Sequence, residues 1–449
     1  MIAGKDRDLL TEGPWGPWTV EDFVLDEEQR EAVSHIMTSE NLVTVLTGVA
    51  GSGKSAVIKF LQQRGLVTVT ATTGRAAIGV GGTTIDSLMA FDRSTGHVWK
   101  KEVLDYNMQS CRRIILVDEA SMISTVMAMT ISRIASDYGK HIVLVGDWAQ
   151  ASPVVTNQRE MIQHNPDMDP VWPFRTELFE DCRIIRLEKC HRQQDAHFLN
   201  QLNKIRSGCV DDEADSLFRG RYVPEHPFFD RACLRIYATN REAEVYNRQR
   251  LREVCRENGS VPLKCEVEFT GHRRRPFTEN QVSKIIRDSP LCDSHLAEGA
   301  RVVFTRNELP ASDRRYVNGD TGWIDSIRCD NRGTPEAITV LMDRDDAIIE
   351  VEPIDISVEN ATGVEIYTIT GFPLRLGWAL TIHKTQGMTA DYIWFDMGSL
   401  RSVRNAGGRE ALHGLTYVAL SRCRKIDNLY ITGWDPTLVY CDPKVTEFL

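Results

Sequence analysis

The sequence has no apolar run approaching the ~18 residues that a membrane span needs, and nowhere does it hold two cysteines in C-x-x-C spacing. The first absence argues against a transmembrane chain. The second removes the support for a zinc site or a thioredoxin-like redox motif. The 11 cysteines are scattered and odd in number, which reads as reduced, mostly buried thiols and not as a disulfide framework. The stretch MIAGKDRDLLTEGPWGPW lacks the continuous apolar core of a signal peptide. The expected location is therefore the cytoplasm, or the host cytoplasm for a phage-encoded chain. Positive charge is scarce as well: 53 Lys and Arg stand against 63 Asp and Glu, a net charge of −10. That excludes a uniformly basic nucleic-acid coat, but not a local basic channel, because steering depends on where charges sit. One basic block, GHRRRPF with Arg273, Arg274 and Arg275, fits either a solvated face or a phosphate contact.

What is present is a long alternation. With 449 residues the chain is too large for one ordinary core, so two to four domains are expected. LDEEQREAVSHIM has helical spacing, and NLVTVLTG, LVTVTA, RRIILVDE and HIVLVGD read as strands, the last two ending in acids. Strands alternating with helices predict an α/β fold with a parallel sheet covered on both faces. The pattern restarts after Pro153, with CRIIRL, CLRIYATN, YIWFDM and NLYITG as strands of a second α/β domain. Between about 300 and 370, ARVVFTRN, TGWIDSI, AITVLMD and AIIEVEP are short strands broken by Gly, Asp and Asn, which predicts a small all-β insert.

The segment GVAGSGKS satisfies G-x-x-x-x-G-K-[ST] in full, between a predicted strand and a predicted helix. Gly48, Gly51 and Gly53 let the main chain of the loop, which also holds Val49, Ala50 and Ser52, turn its N–H groups toward phosphates. The helix beginning near Lys54 adds its positive end. Lys54 is placed to neutralise the terminal phosphates of ATP and Ser55 to hold Mg²⁺. In VDEAS, Asp118 ends a strand where it can meet the same metal, and Glu119 can orient or deprotonate an attacking water. Two adjacent acids point to hydrolysis more than to phosphoryl transfer onto a small acceptor.

The ordered series LDEEQ, GVAGSGKS, TATTGRAA, VDEAS, GDWAQASPV, LEKCHRQ, TIHKTQGMTAD and YVALSRCR resembles the motif set of superfamily 1 helicases, and within it the RecD-like branch that includes the phage Dda helicases. The motifs run from Gln29 to Arg424 and so span nearly the whole chain. The resemblance implies two RecA-like domains, 1–84 with 113–153 and 154–300 with 371–449. It also implies a hairpin insert at 85–112 and an SH3-like domain at 301–370. It implies that Gln29 reads adenine, that Gln150 senses the γ-phosphate, and that Arg192 and Arg422 act as arginine fingers. Gly387 joins the nucleotide site on the same ground.

The same resemblance places DNA against Thr72, Thr73, Arg75, Thr83 and Thr84 in the first domain, and against Thr239, Asn240, His383 and Lys384 in the second. Short hydroxyls, amides and a few cations suit main-chain contacts to a single strand. Asp86 stands where many relatives carry His; an acid there would repel phosphate, so it is left out of the site. A strand-separating pin is expected in FDRSTGHVWKKEV, residues 91–103, with His97, Val98 and Trp99 beside its turn. The implied activity is that of an ATP- and Mg²⁺-dependent 5′→3′ DNA helicase, acting as a monomer on single strands and duplex junctions, with replication or recombination proteins as candidate partners. An RNA helicase, a P-loop small-molecule kinase and a nucleotide-gated DNA clamp without turnover are the alternatives.

Overall fold

The structure is a computed structural model describing residues 12–20, 23–49, 51–73, 76–77, 80–93, 95–153, 155, 168–180, 182–189, 195–222, 233–271, 277–289, 291–292, 294–306, 308, 315–316, 319–359, 365–386, 388 and 390–448. The chain divides into two compact units: Met1–Glu225 with Gln386–Asp391 and Leu400–Leu449, and His226–Thr385 with Tyr392–Ser399. This division differs from the domain limits read in the sequence, since residues 154–225, 386–391 and 400–449 group with the first unit. Among the described residues no helix is long and apolar enough to cross a membrane.

The first unit is built on a six-stranded parallel sheet. Its order is Arg183–Leu187, Val43–Gly48, His141–Gly146, Ile114–Asp118, Val67–Ala71, Thr83–Thr84. Side chains alternate across it, as the period of two in a strand requires. Val43, Val45, Ile115, Val117, Ile142 and Leu144 enter one core with Met127, Ile131 and Ile134 of the helix Thr125–Asp137. Leu46, Leu116, Val143 and Val145 enter the other, with Ala32, Val33 and Ile36 of Glu27–Thr38 and with Ile58 and Phe60 of Lys54–Gln63. Both faces are therefore covered, which explains strands that are buried end to end.

Three sequence readings change. CRIIRL was expected to open the second domain, but Arg183–Leu187 pairs in parallel with Val43–Gly48 at the edge of the first sheet. Sheet membership is a long-range property that a local apolar run does not encode. Residues 1–24, which their Gly, Pro and Trp content marks as an irregular arm, include short strands. Thr19–Val20 pairs with Phe23–Val24, and Trp18 stacks on Phe60 with ring centroids 5.2 Å apart. The expected hairpin at 91–103 is a single antiparallel bridge, Phe91 to Val98, closed by Asp92 N–H to the His97 carbonyl at 2.9 Å. A helix, Lys101–Ser110, follows at once. Leu104 and Met108, one turn apart and both buried, are the helical signal in KKEVLDYNMQS.

In the second unit Ala379–Thr381, Cys233–Tyr237 and Tyr392–Asp396 pair in parallel. The expected β-rich insert is present as a five-stranded antiparallel sheet, Ile348–Val351, Pro335–Met342, Thr321–Cys329, Arg301–Phe304 and Leu374–Leu376. It closes around Val302, Phe304, Ile338 and Val340. A separate three-stranded sheet, Glu268–Gly271, Glu365–Gly371 and Ile354–Glu359, was not anticipated. The basic block Arg273, Arg274 and Arg275 lies outside the described residues.

Candidate active site

Parallel register brings the chemistry of the first unit to one edge. Gly48 sits opposite Leu187, Thr47 opposite Gly146, and Ala71 opposite Asp118. The loops that follow these strands therefore emerge side by side at the carboxyl end of the sheet, where open α/β sheets bind ligands. At Gly48 an added Cβ would lie 2.6 Å from both the Leu187 carbonyl and Ser52 Oγ, so only glycine fits. The helix Lys54–Gln63 starts from Gly53 with no side-chain cap, which leaves its first N–H groups facing the loop. Lys54 Nζ donates to the carbonyls of Gly48 at 2.8 Å and Val49 at 3.0 Å, and to Ser52 Oγ at 3.3 Å. Burial pushes this ammonium below its ordinary pKa, and Asp147, Glu119 and Asp118 partly offset the shift. Ser55 is exposed in the first helical turn; Ala50 lies outside the described residues.

The acids are held in distinct ways. Burial and the neighbouring Glu119 charge push the Asp118 carboxyl up to about 7. Asp118 Oδ1 accepts the Glu119 N–H at 2.9 Å. Glu119 itself has φ of 52°, a left-handed conformation that costs a non-glycine residue ~1 kcal/mol. Thr72 fixes it there: its N–H donates to the Asp118 carbonyl at 3.1 Å and its Oγ1 to the Glu119 carbonyl at 2.8 Å. Thr72, expected to touch DNA, is instead fully buried and shapes the acidic turn.

Asp147 is also fully buried, and Arg206 grips it with Nε 3.1 Å and Nη2 2.8 Å from Oδ1. Burial alone would raise the Asp147 carboxyl; the Arg206 guanidinium, with Lys54 and the Ala149 N–H, more than offsets it and holds the pKa below the usual range. Sequence reasoning missed Arg206. It ends the helix Ala196–Arg206, 59 residues from its partner, and nothing local marks it. Gln150 is buried, its N–H donates to the Asp147 carbonyl at 2.9 Å, and its Oε1 finds no hydrogen-bond partner among the described residues.

Gln29 is buried in a capping box: its Oε1 accepts the Asp26 N–H and its own N–H reaches Asp26 Oδ1, both at 3.0 Å. The box leaves the Nε2 end to meet an acceptor. Arg422 is buried at the end of the helix Leu415–Leu420, donating to the carbonyls of Val418 at 2.9 Å and Met388 at 3.2 Å and to Ser421 Oγ at 2.8 Å. Arg192, Gly387 and Arg75 lie outside the described residues.

The remaining candidates serve local structure first. Thr73 Oγ1 accepts the Ala76 N–H. Thr84 caps Ile85–Leu88, beside exposed Thr83, and Asp86 is paired with Arg93. In the second unit Tyr237 sits opposite Thr381, so Thr239 and Asn240 leave the same sheet edge as His383 and Lys384. Thr239 caps Asn240–Asn258, Lys384 Nζ donates to Asn240 Oδ1 at 3.1 Å, and His383 is exposed. At the pin, His97 is exposed, but Val98 packs against the core, which removes it as a wedge. Trp99 is 49% exposed and lies at the base of the bridge, its N–H donating to the Ala90 carbonyl, and not at a hairpin tip.

A P-loop, two acids and a buried glutamine on the edge of a parallel sheet define a P-loop nucleoside-triphosphatase, and a second parallel sheet places it among those with two RecA-like domains. The AAA domain family matches residues 24–226. An ATP-dependent DNA helicase Pif1 of Bdellovibrio bacteriovorus is 29% identical, across 96% of this chain and 93% of that protein. The ATP-dependent DNA helicase PIF1 of Homo sapiens is 27% identical, across 94% of this chain and 63% of that protein. The crystal structure of a Pif1 helicase from Bacteroides, in complex with ADP-AlF3 and single-stranded DNA, superposes with a TM-score of 0.72 at 26% identity, over 95% of this chain and 97% of that one. By sequence and by fold the chain is similar to Pif1-like superfamily 1B helicases.

Proposed function

We propose that this chain is an ATP-driven DNA helicase that moves along single-stranded DNA in the 5′→3′ direction and opens duplex junctions. The observation that carries the reading is the site at the first sheet edge. There a glycine-lined loop, Lys54, Asp118, Glu119 and Gln150 converge, in a chain whose relatives named above are DNA helicases. The residues fit ATP with Mg²⁺. The close approach at Gly48 makes a cradle that a Cβ would fill, and the Asp118 carboxyl, pushed up to about 7, is a buried acid that a cation would relieve. Ser55 and Asp118 would hold the metal, which neutralises phosphate charge when bound.

The protein's own groups supply the rest. Lys54 steadies the terminal phosphates. Glu119, held in its left-handed turn, faces the attacking water as its base. The Gln150 amide offers an acceptor, Oε1, to that water and a donor, Nε2, to a phosphate oxygen. Arg192 and Arg422 are assigned to transition-state charge, where an arginine finger is worth ~10³–10⁵ in rate. Gln29 presents its Nε2 to adenine. Thr73, Arg75, Thr83, Thr84, Thr239, Asn240, His383 and Lys384 are assigned to the DNA strand, and Trp99 to its junction. The test is ATP turnover with single-stranded DNA, with RNA and with neither. DNA must stimulate most strongly; equal or greater stimulation by RNA points to an RNA helicase, and no stimulation by either removes the reading.

A further inference from the structure

Among the described residues His413 is a buried histidine with both ring nitrogens engaged, and the ATP chemistry above makes no use of it. It is 1% exposed. Its Nδ1 lies 2.8 Å from the main-chain N–H of Asp442, which can only donate. Nδ1 is therefore the unprotonated nitrogen, and the ring hydrogen sits on Nε2. From there it is donated to the Trp148 carbonyl at 2.8 Å. The Trp172 ring stands edge-on to the imidazole with centroids 4.8 Å apart. Both nitrogens are thus satisfied in a single tautomer and a single ring orientation.

The two partners belong to different parts of the unit. Trp148 is in the loop 147–150 that presents Asp147 and Gln150 to the nucleotide site. Asp442 belongs to a carboxyl-terminal segment that is itself pinned: the Trp172 Nε1–H donates to Asp442 Oδ2 at 2.8 Å, and Lys444 Nζ to Asp169 Oδ2 at 2.6 Å. The residue after His413 makes a second joint. Gly414 has φ of 68°, and a Cβ there would meet the Gln150 carbonyl carbon at 2.4 Å and the Ala149 oxygen at 2.5 Å. Main chain lies directly on main chain, so the Gln150 loop cannot move toward Gly414 without pushing it.

From Gly414 the contact continues along one helical line. The Gly414 carbonyl accepts the Val418 N–H at 2.8 Å, and the Val418 carbonyl accepts Arg422 Nε at 2.9 Å. The Gly414 contact resists compression, and the His413 bond resists separation. We infer that His413 is a positioning residue that ties the Gln150 loop to the helix carrying Arg422, so that a movement at the γ-phosphate sensor is carried to the arginine in both directions. This rests on the helicase reading, because it assigns the tie a role in coupling ATP turnover to strand separation.

The two ring nitrogens can be tested apart. His413→Gln places an amide N–H near the position of Nε2 and keeps the donor to Trp148. His413→Asn places an amide oxygen near Nδ1, keeping the acceptor for Asp442 and losing the bond to the loop. The full chain and both variants are compared for base pairs opened per ATP on a 5′-tailed duplex, for kcat and KM of ATP on single-stranded oligo-dT, and for Tm. His413→Asn should lose roughly fivefold or more in base pairs per ATP, the lower end of an ordinary coupling free energy, with KM for ATP little changed. His413→Gln should stay near the parent. Asparagine and glutamine variants that lose coupling equally, in step with Tm, would mean a structural histidine and overturn the inference. So would an asparagine variant that couples like the parent. A parent chain that opens no duplex and shows no DNA-stimulated turnover marks failure of the helicase reading itself.

Discussion

The carboxyl edge of the first sheet and that of the second both carry loops with polar residues, and they treat those residues in opposite ways. At the first, Lys54, Asp118, Asp147, Arg206 and Gln150 are withdrawn from water and set against one another. At the second, Asn240, His383 and Lys384 are exposed, and Thr239 is engaged as a helix cap. Under the proposed function, the difference follows from the ligands. Stabilising charge on a transferring phosphoryl group needs a few preorganised groups in a dry site. Holding a strand that must slide needs several weak, solvated contacts, none of them decisive. Substitutions should therefore be severe and specific on one side, and mild and additive on the other.

The largest effect is expected at Lys54. Lys54→Ala should lower DNA-stimulated ATP turnover by at least about 10²–10³-fold; a variant that kept turnover would remove the phosphate site. Arg206 comes next. Arg206→Ala leaves the fully buried Asp147 charge unpaired, a loss of about 3–5 kcal/mol. Denaturant unfolding measures it, and an unchanged midpoint would mean that the pair is not structural. The buried side also carries a pH response. Burial, with Arg113 nearby, pushes the His141 imidazole down to about 4, and its Nε2 lies 3.1 Å from Thr44 Oγ1. A depressed histidine gives stability that is complete above its unfolded pKa and is lost as pH falls toward the folded one. The free energy of unfolding should therefore fall by on the order of 3 kcal/mol from about pH 6.5 to pH 4, with Tm falling alongside it, and His141→Gln should flatten that slope.

Away from the buried site, at exposed Trp99 of the first unit, Trp99→Ala should slow duplex opening by roughly 3- to 10-fold while ATP turnover on single strands stays intact, as losing one stacking contact of ~1 kcal/mol or more implies. A parallel fall in both would make Trp99 a packing residue. The smallest change is expected at Lys384. Lys384→Ala should reduce the salt dependence of single-strand binding by about 0.7 in log–log slope, one phosphate contact, with no change in KM for ATP. An unaltered slope would place the DNA elsewhere.

Legibility in the sequence followed the same line. The P-loop and the paired acids are contiguous strings, so residue order alone marks them, whereas Gln150 comes only with the family resemblance; the alternation of strands and helices gives the α/β class. What escaped is long-range. Arg206 reaches Asp147 across 59 residues and His413 reaches Trp148 across 265, distances over which no spacing rule operates. Arg183–Leu187 looks like any apolar strand until its partner is known. Thr72 was misread because a threonine after a strand suits a nucleic-acid contact as well as it suits the turn of Glu119 that it locks. The short bridge at Phe91 and Val98 looked like a longer hairpin because the helical spacing of Leu104 and Met108 was overlooked.

The most direct measurement is strand displacement on duplexes with a 5′ tail, a 3′ tail or no tail, with ATP and Mg²⁺ and with each omitted. The 5′-tailed duplex alone should be displaced, and displacement should be lost when either ATP or Mg²⁺ is withheld. Displacement from the 3′-tailed duplex only, or none from any duplex while single-stranded DNA still stimulates ATP hydrolysis, would contradict the 5′→3′ helicase reading.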